Sequence, residues 1–390
     1  MGMFLNSTVP YEEYKNITKM RFFVDKSLLI EEIISALTVD GQRYLCVTRP
    51  RRFGKSVIAN MVGAFFGRAV DGKDIFDKLK IAQMADFPKH LNQYDVIYID
   101  FSRRPRDCQS YGPYIDRIQD GINDDLAESY PELGLDRHRA VWDNLQIVFE
   151  KRQGKYIFVM DEWDAPFHME FISENDRKNY LAFLRDLLKG QAYVEFAYMT
   201  GVLPITKYSS GSEINMFKEY NMATSEMYSE YFGFLDLEVD KLFEIYQQTS
   251  KNPRISRNDL KVWYDGYYTV SGERLYNPRS IVCALTDNQL KNYWTNSGPY
   301  DEIYYYIKNN VEDIQDDLIL MVSGERVEAK IQEYAATATE LNTKDQIYSA
   351  MVVYGLLTYD DAAGEVFIPN KKLMVLWEDL VKNLNIPVKY

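Results

Sequence analysis

Cysteine, histidine and long apolar runs are what this chain has least of. Its 390 residues include 3 cysteines (Cys46, Cys108, Cys283), 3 histidines and no C-x-x-C pair. That excludes a disulfide framework, leaves little material for a zinc site, and makes a reducing, cytoplasmic setting the expectation. The longest apolar stretch, Ile347 to Tyr359, is interrupted by Ser349 and falls short of the roughly 20 residues a membrane helix needs. Residues 1–10 lack a basic segment followed by an apolar one, so no secretory leader is expected. Asn6 stands where N-myristoylation wants Ser or Thr. Positive charge is also short. With 45 Lys and Arg against 58 Asp and Glu, the formal net charge is −13, which disfavours sequence-independent binding of nucleic acid by the whole molecule, a local basic patch excepted. Fixed-period repeats and Pro/Gly/Ser-rich linkers are missing too, so domain boundaries must be read from changes of pattern.

What is there is globular: 46% of residues are hydrophobic and 26% charged, in a length that suggests two or three domains of roughly 100–200 residues. The 31 tyrosines fall in runs such as Tyr304-Tyr305-Tyr306. These are not interleaved with basic residues, so they read as amphipathic filler rather than a base-stacking surface.

From Arg43 to Thr200, short apolar runs alternate with helical stretches. Arg43–Thr48, Asp95–Phe101, Tyr156–Asp161 and Val194–Thr200 read as buried parallel strands, with Tyr220–Ala223 as a fifth. Lys55–Phe66, Tyr111–Glu128, Asp136–Arg152 and Arg177–Leu188 carry apolar residues at helical spacing. The combination is α/β, doubly wound. After about Ser229 the pattern becomes mostly helical, with helices expected over Leu237–Gln248, Arg257–Tyr264, Tyr300–Asn309, Val327–Thr337 and Lys344–Tyr354. Two strands (Leu356–Tyr359, Glu365–Ile368) joined by Asp360–Gly364, then a helix over Lys371–Asn383, complete a winged-helix layout. Residues 301–390 hold 8 Lys and Arg against 16 Asp and Glu, so packing or protein contact suits this segment better than DNA.

The most informative stretch is Tyr44 to Ser56, where an apolar strand turns through Arg49-Pro50-Arg51-Arg52-Phe53 into Gly54-Lys55-Ser56 at a helix start. Backbone amides and a helix N-terminus at such a place cradle phosphates, a lysine reaches the β/γ oxygens, and a serine hydroxyl holds Mg²⁺. The usual first glycine of G-x-x-x-x-G-K-[ST] is Arg49 here. Context supports the reading, because Tyr156–Asp161 is a second apolar strand ending in Asp161-Glu162, with Asp164 close behind. Asp161 is then a metal ligand through its water shell and Glu162 the group that orients or deprotonates water. The strand between them in sequence, Asp95–Phe101, marks the class in which an extra strand separates the phosphate-loop strand from the carboxylate strand. Thr200, ending the next strand before Gly201, is a candidate γ-phosphate sensor, with an ordinary strand terminus as the alternative.

The chain resembles the AAA-ATPase-like family, P-loop ATPases often joined to a C-terminal PD-(D/E)XK nuclease-like domain. Several ordered blocks carry the resemblance: Phe23-Val24-Asp25-Lys26-Ser27, Thr48-Arg49-Pro50-Arg51-Arg52-Phe53-Gly54-Lys55-Ser56, and Met160-Asp161-Glu162-Trp163-Asp164-Ala165-Pro166. They continue through Met199-Thr200-Gly201-Val202, Tyr231-Phe232-Gly233-Phe234, Trp263-Tyr264-Asp265-Gly266-Tyr267, Tyr276-Asn277-Pro278-Arg279-Ser280 and Tyr293-Trp294-Thr295-Asn296-Ser297. Trp163 and Asp265 depart from the family's usual Tyr and Asn. The resemblance implies an additional-strand, AAA-like P-loop NTPase sheet over residues 1–228, followed by a mostly helical region over 229–390, winged-helix-like from about 340. It implies ATP and Mg²⁺ as cofactors. Lys55, Glu162 and Thr200 become catalytic candidates, and Ser56 and Asp161 metal ligands. Arg49, Pro50, Arg51, Arg52, Phe53, Gly54, Lys55, Ser56, Val57 and Asp25 become nucleotide-contact candidates. In longer relatives the nuclease-like domain follows the stretch resembling Ile368-Pro369-Asn370, after which 20 residues remain here. Glu328-Ala329-Lys330 fits the nuclease-type tripeptide but lies in a helical pattern with no suitable strand before it, so the ATPase without the nuclease is expected.

The leading function is thus Mg²⁺-dependent ATP hydrolysis coupled to a conformational or partner-directed task. A nucleotide-gated regulatory module with little turnover, or an ATPase subunit of a nucleic-acid-processing or defence system, are the alternatives. An unknown protein partner is expected, self-association is left open, and Arg185, Arg254 and Arg279 read as surface ion pairs rather than a placed arginine finger.

Overall fold

The computed structural model describes residues 2–205, 214–293, 311–331 and 343–383. The chain divides into two compact units, Met1–Thr48 with Lys55–Glu219 and Arg49–Gly54 with Tyr220–Tyr390.

The first unit is built on helices α1 (Val9–Thr18) and α2 (Leu29–Thr38), strand β1 (Tyr44–Thr48), α3 (Lys55–Phe66), and the short α4 (Lys73–Phe76) and α5 (Phe87–His90). There follow β2 (Asp95–Asp100), α6 (Tyr111–Ser129), α7 (Val141–Arg152), β3 (Tyr156–Asp161), α8 (Glu174–Leu188) and β4 (Val194–Gly201), and the unit ends within β5 (Lys218–Asn221), whose last two residues are counted with the second. The sheet order is β2-β3-β4-β1-β5, with β2, β3, β4 and β1 parallel. Every residue of β3 is buried, as befits a central strand covered on both faces. The strand lying between β1 and β3 is β4, while β2 sits beyond β3 at the edge; the extra strand is therefore the later one in sequence, not Asp95–Phe101. Registers align Val47 with Thr200 and Asp100 with Asp161, so the polar ends of four parallel strands gather at one sheet edge. Helix α3, rich in Ala, Met, Val and Phe, packs on β2, β3 and β4.

Boundaries moved for identifiable reasons. Helix α7 starts at Val141 rather than Asp136, because Asn123 and Asn144 side-chain amides donate to the carbonyls of Asp136, Arg137 and Arg139 and hold that segment as a turn. Helix α8 starts earlier than Arg177, since Ser173 and Asp176 form a reciprocal capping box. Strand β5 ends at Asn221, whose side-chain oxygen accepts from the amides of Ala223 and Thr224 and starts a turn there.

The second unit holds α9 (Asp236–Thr249), α10 (Arg257–Tyr264), the hairpin of β6 (Tyr267–Tyr268) and β7 (Arg274–Leu275), and α11 (Pro278–Asp287). It continues with α12 (Val311–Val322), β8 (Val327–Glu328), α13 (Lys344–Val353), β9 (Thr358–Asp360), β10 (Glu365–Phe367) and α14 (Lys371–Asn383). The expected helix at Val327–Thr337 is overturned at its start: Val327 and Glu328 pair antiparallel with β10, in a three-stranded sheet ordered β8-β10-β9. A two-residue strand recruited by a distant hairpin leaves no local periodicity to read. Glu328-Ala329-Lys330 accordingly begins on a strand. Residues 332–337 and the expected helix Tyr300–Asn309 lie outside the described residues. Ile314, Leu318, Met351, Val366 and Trp377 form part of this unit's core, and so does Phe53. Among the described residues no helix is long and apolar enough to cross a membrane.

Candidate nucleotide site

Helix α3 opens directly on Lys55 and Ser56, so its first-turn amides have no partner within the helix and stand at its positive dipole end. Lys55 is buried, Ser56 exposed and Val57 half-buried. Immediately before them, Arg52 (φ 72) and Gly54 (φ 90) adopt left-handed backbone, which only glycine enters without cost.

The Ser56 hydroxyl, at the start of α3, acts on the Asp161 carboxyl at the end of β3 and works to lower its pKa. Burial pushes the Asp161 carboxyl up to about 7; the hydroxyl of Ser56 opposes that shift, Glu162 adds to it, Lys55 opposes it and Asp100 adds. The structure thus brings together Lys55, Ser56, Asp161 and Glu162. Glu162 is half-buried, donates its amide to Asp161 Oδ1 at 3.0 Å, and holds left-handed backbone at φ 53. A non-glycine residue in that region costs about 1 kcal/mol and such strain collects at functional sites. A serine hydroxyl and a buried carboxyl are hard-oxygen donors suited to Mg²⁺, which takes one or two protein oxygens beside nucleotide phosphates and water.

A family model described as predicted AAA-ATPase matches residues 10–210, just over half of the chain. The chain belongs to this family. Curated and solved proteins resemble it distantly. A protein described as uncharacterized, in the vnfD 5′ region of Azotobacter chroococcum mcd 1, is 24% identical over 287 residues, covering 71% of this chain and 51% of its own length; the chain spans about half of that relative. A Walker-type ATPase of Pyrococcus abyssi aligns with a TM-score of 0.45 at 11% identity, over 90% of this chain and 94% of its own. The ORC2 protein of Aeropyrum pernix, in ADPNP and ADP complexes, aligns at 0.37 and 8% identity, over 97% and 95%.

The remaining candidates of this AAA-ATPase family member are placed as follows. Thr200 is fully buried and donates its hydroxyl to Val47 O at 2.9 Å, tying β4 to β1; only its lone pairs remain for a water or phosphate. Asp25 accepts from the amides of Ser27 (2.8 Å) and Lys80 (2.7 Å), bracing the segment that leads into α2. Arg49 donates from Nη1 to Tyr220 O at 2.8 Å. Pro50 and Phe53 are buried, while Arg51 and Arg52 are half-buried.

Asp164 has a larger part than the sequence reading gave it. Its carboxylate accepts from the amides of Val202 (3.1 Å) and Leu203 (2.9 Å), with His168 Nε2 at 3.8 Å. Burial would raise this carboxyl, but His168, the Leu203 amide and Lys55 together hold it below the ordinary carboxylate range. A Cβ on Gly201 would stand 2.4 Å from Asp164 Oδ1 and from Trp163, so glycine there lets the turn after β4 close on the carboxylate. Nothing local in the sequence announces that clamp.

Proposed function

We propose that the chain is a Mg²⁺-dependent ATPase. The observation that carries the reading is that Lys55 and Ser56 open α3 and act on the buried Asp161 carboxyl that ends β3. In this reading the α3 first-turn amides and Lys55 bind the β- and γ-phosphate oxygens, and Ser56 and Asp161 hold Mg²⁺. Bound Mg²⁺ would neutralise charge developing on the phosphates. The Glu162 carboxylate orients the attacking water and takes its proton, while Asp164 keeps the β4 turn in place behind it. The second unit's arrangement of α12, β8, α13, β9 and β10, with sheet order β8-β10-β9, supports a winged helix. The acidic excess of residues 301–390 supports a protein rather than nucleic acid as what that region meets.

Steady-state phosphate release with ATP tests this, comparing wild type with Lys55→Ala, with and without Mg²⁺. Turnover that needs the cation and is lost in Lys55→Ala is the expected result; turnover retained by that variant rejects the site.

A further inference from the structure

Three of the sequence blocks, Tyr231–Phe234, Trp263–Tyr267 and Tyr276–Ser280, have no task in the phosphate chemistry, and the segment around Gly355 joins them as a fourth. In the second unit they meet at one place, the loop Arg49–Gly54, whose chain neighbours Thr48 and Lys55 fold with the first unit. Arg49, 1% exposed, lays its guanidinium 5.0 Å from the centre of the Phe232 ring. The Arg51 carbonyl accepts from Asn277 Nδ2 at 3.4 Å, while Asn277 Oδ1 accepts from Ser280 N at 3.1 Å as the cap of α11. Phe53, also 1% exposed, meets Tyr267 edge to face at 4.9 Å, and its carbonyl accepts from Gly233 N at 3.3 Å. Tyr267 in turn donates its hydroxyl to Gly355 O at 3.2 Å. Gly355 is left-handed (φ 76), and a Cβ there would stand 2.7 Å from Pro50 Cβ. Side chains or backbone from all four blocks therefore hold the loop.

The loop needs holding. It has lost the usual first glycine to Arg49, and Arg52 sits at φ 72, a strained conformation that persists only where surrounding structure over-determines it. A phosphate cradle works only if its amides are already fixed, since ordering them on binding spends affinity.

We infer that the second unit sets the conformation of the phosphate loop, with Gly233, Asn277 and Tyr267 as positioning residues and Phe53 as the anchor through which they act. Nucleotide affinity then depends on those residues of the second unit, and whatever displaces them from the loop changes the hold on ATP. This rests on the proposal that the loop binds ATP.

Amide hydrogen exchange of the full chain, without and with Mg²⁺·ATP, separates the two ideas. Asn277→Asp keeps the α11 cap acceptor, removes the donor to Arg51 and sets a carboxyl oxygen against the Arg51 carbonyl. Phe53→Ala removes the anchor, and Phe53→Leu restores apolar volume. Without nucleotide, Asn277→Asp and Phe53→Ala should exchange the amides of residues 51–57 about tenfold faster than wild type, with α14 unchanged and Phe53→Leu close to wild type. ATP affinity should weaken by a similar factor in the first two. Where Phe53→Ala also loosens α14, Asn277→Asp decides. Loop exchange or ATP affinity unchanged in Asn277→Asp overturns the inference. A wild type whose loop ATP does not protect overturns the ATPase reading, and the nucleotide-free comparison still judges the anchor.

Discussion

At Asp161 burial and chemistry pull in opposite directions. The carboxyl rises from 3.8 to about 7 because the fold desolvates it, so between those values the folded chain binds a proton that the unfolded chain has released. Stability present below about pH 4 is therefore lost as pH climbs towards 7. Asp161→Asn should raise the thermal midpoint of the ATP-free protein, and by more at pH 8 than at pH 5, as scanning calorimetry can measure. A gain equal at both values would show the carboxyl is not desolvated as described. The placement of Lys55 and Ser56 at a helix start and of Asp161 at a strand end was legible because it is tied to local order: apolar strand, turn, then helix start or carboxylate pair. Thr200 was legible as a strand end, but its bond to Val47 joins residues far apart in sequence, and no local pattern reports that.

At the scale of elements, the turn after β4 depends on one side chain. Asp164 carries the amides of Val202 and Leu203, and charged acceptors of this kind contribute about 1.5–3 kcal/mol each relative to leaving the donors unpaired. Asp164→Ala should destabilise the protein by about 3 kcal/mol, read from the midpoint of urea unfolding at constant slope. The effect should shrink in acid, because its folded carboxyl is held below the ordinary range and the stability it supplies is lost as pH falls through that depressed value. A change under about 0.5 kcal/mol, typical of surface sites, would mean the clamp is not made. Strands β1 to β4 and helix α3 were readable because long apolar runs bounded by turns have few alternative fates. The three-stranded sheet was half readable: the β9–β10 hairpin announced itself through Asp360–Gly364, whereas β8 is a strand only because β10 offers it an edge.

For the whole molecule, the sequence showed an α/β half and a mostly helical half, and the contacts divide it near the same region with one exchange. Residues 49–54, read from sequence as part of the ATPase half, fold with the second unit. That exchange was invisible in advance because the phosphate-loop pattern leaves the positions of Pro50 and Phe53 open, has a glycine where Arg49 stands, and says nothing of packing against a distant core. It also gives the blocks around Gly233, Tyr267 and Asn277 a physical reason to accompany the loop.

The central claim, hydrolysis of ATP with Glu162 acting on water, is tested most directly by Glu162→Gln, measuring ATP bound per chain and phosphate released in a single turnover beside wild type. Binding within about twofold of wild type, with release slowed about a hundredfold or more, is the predicted result. Release at the wild-type rate by Glu162→Gln, or ATP held by wild type without any release, would contradict it.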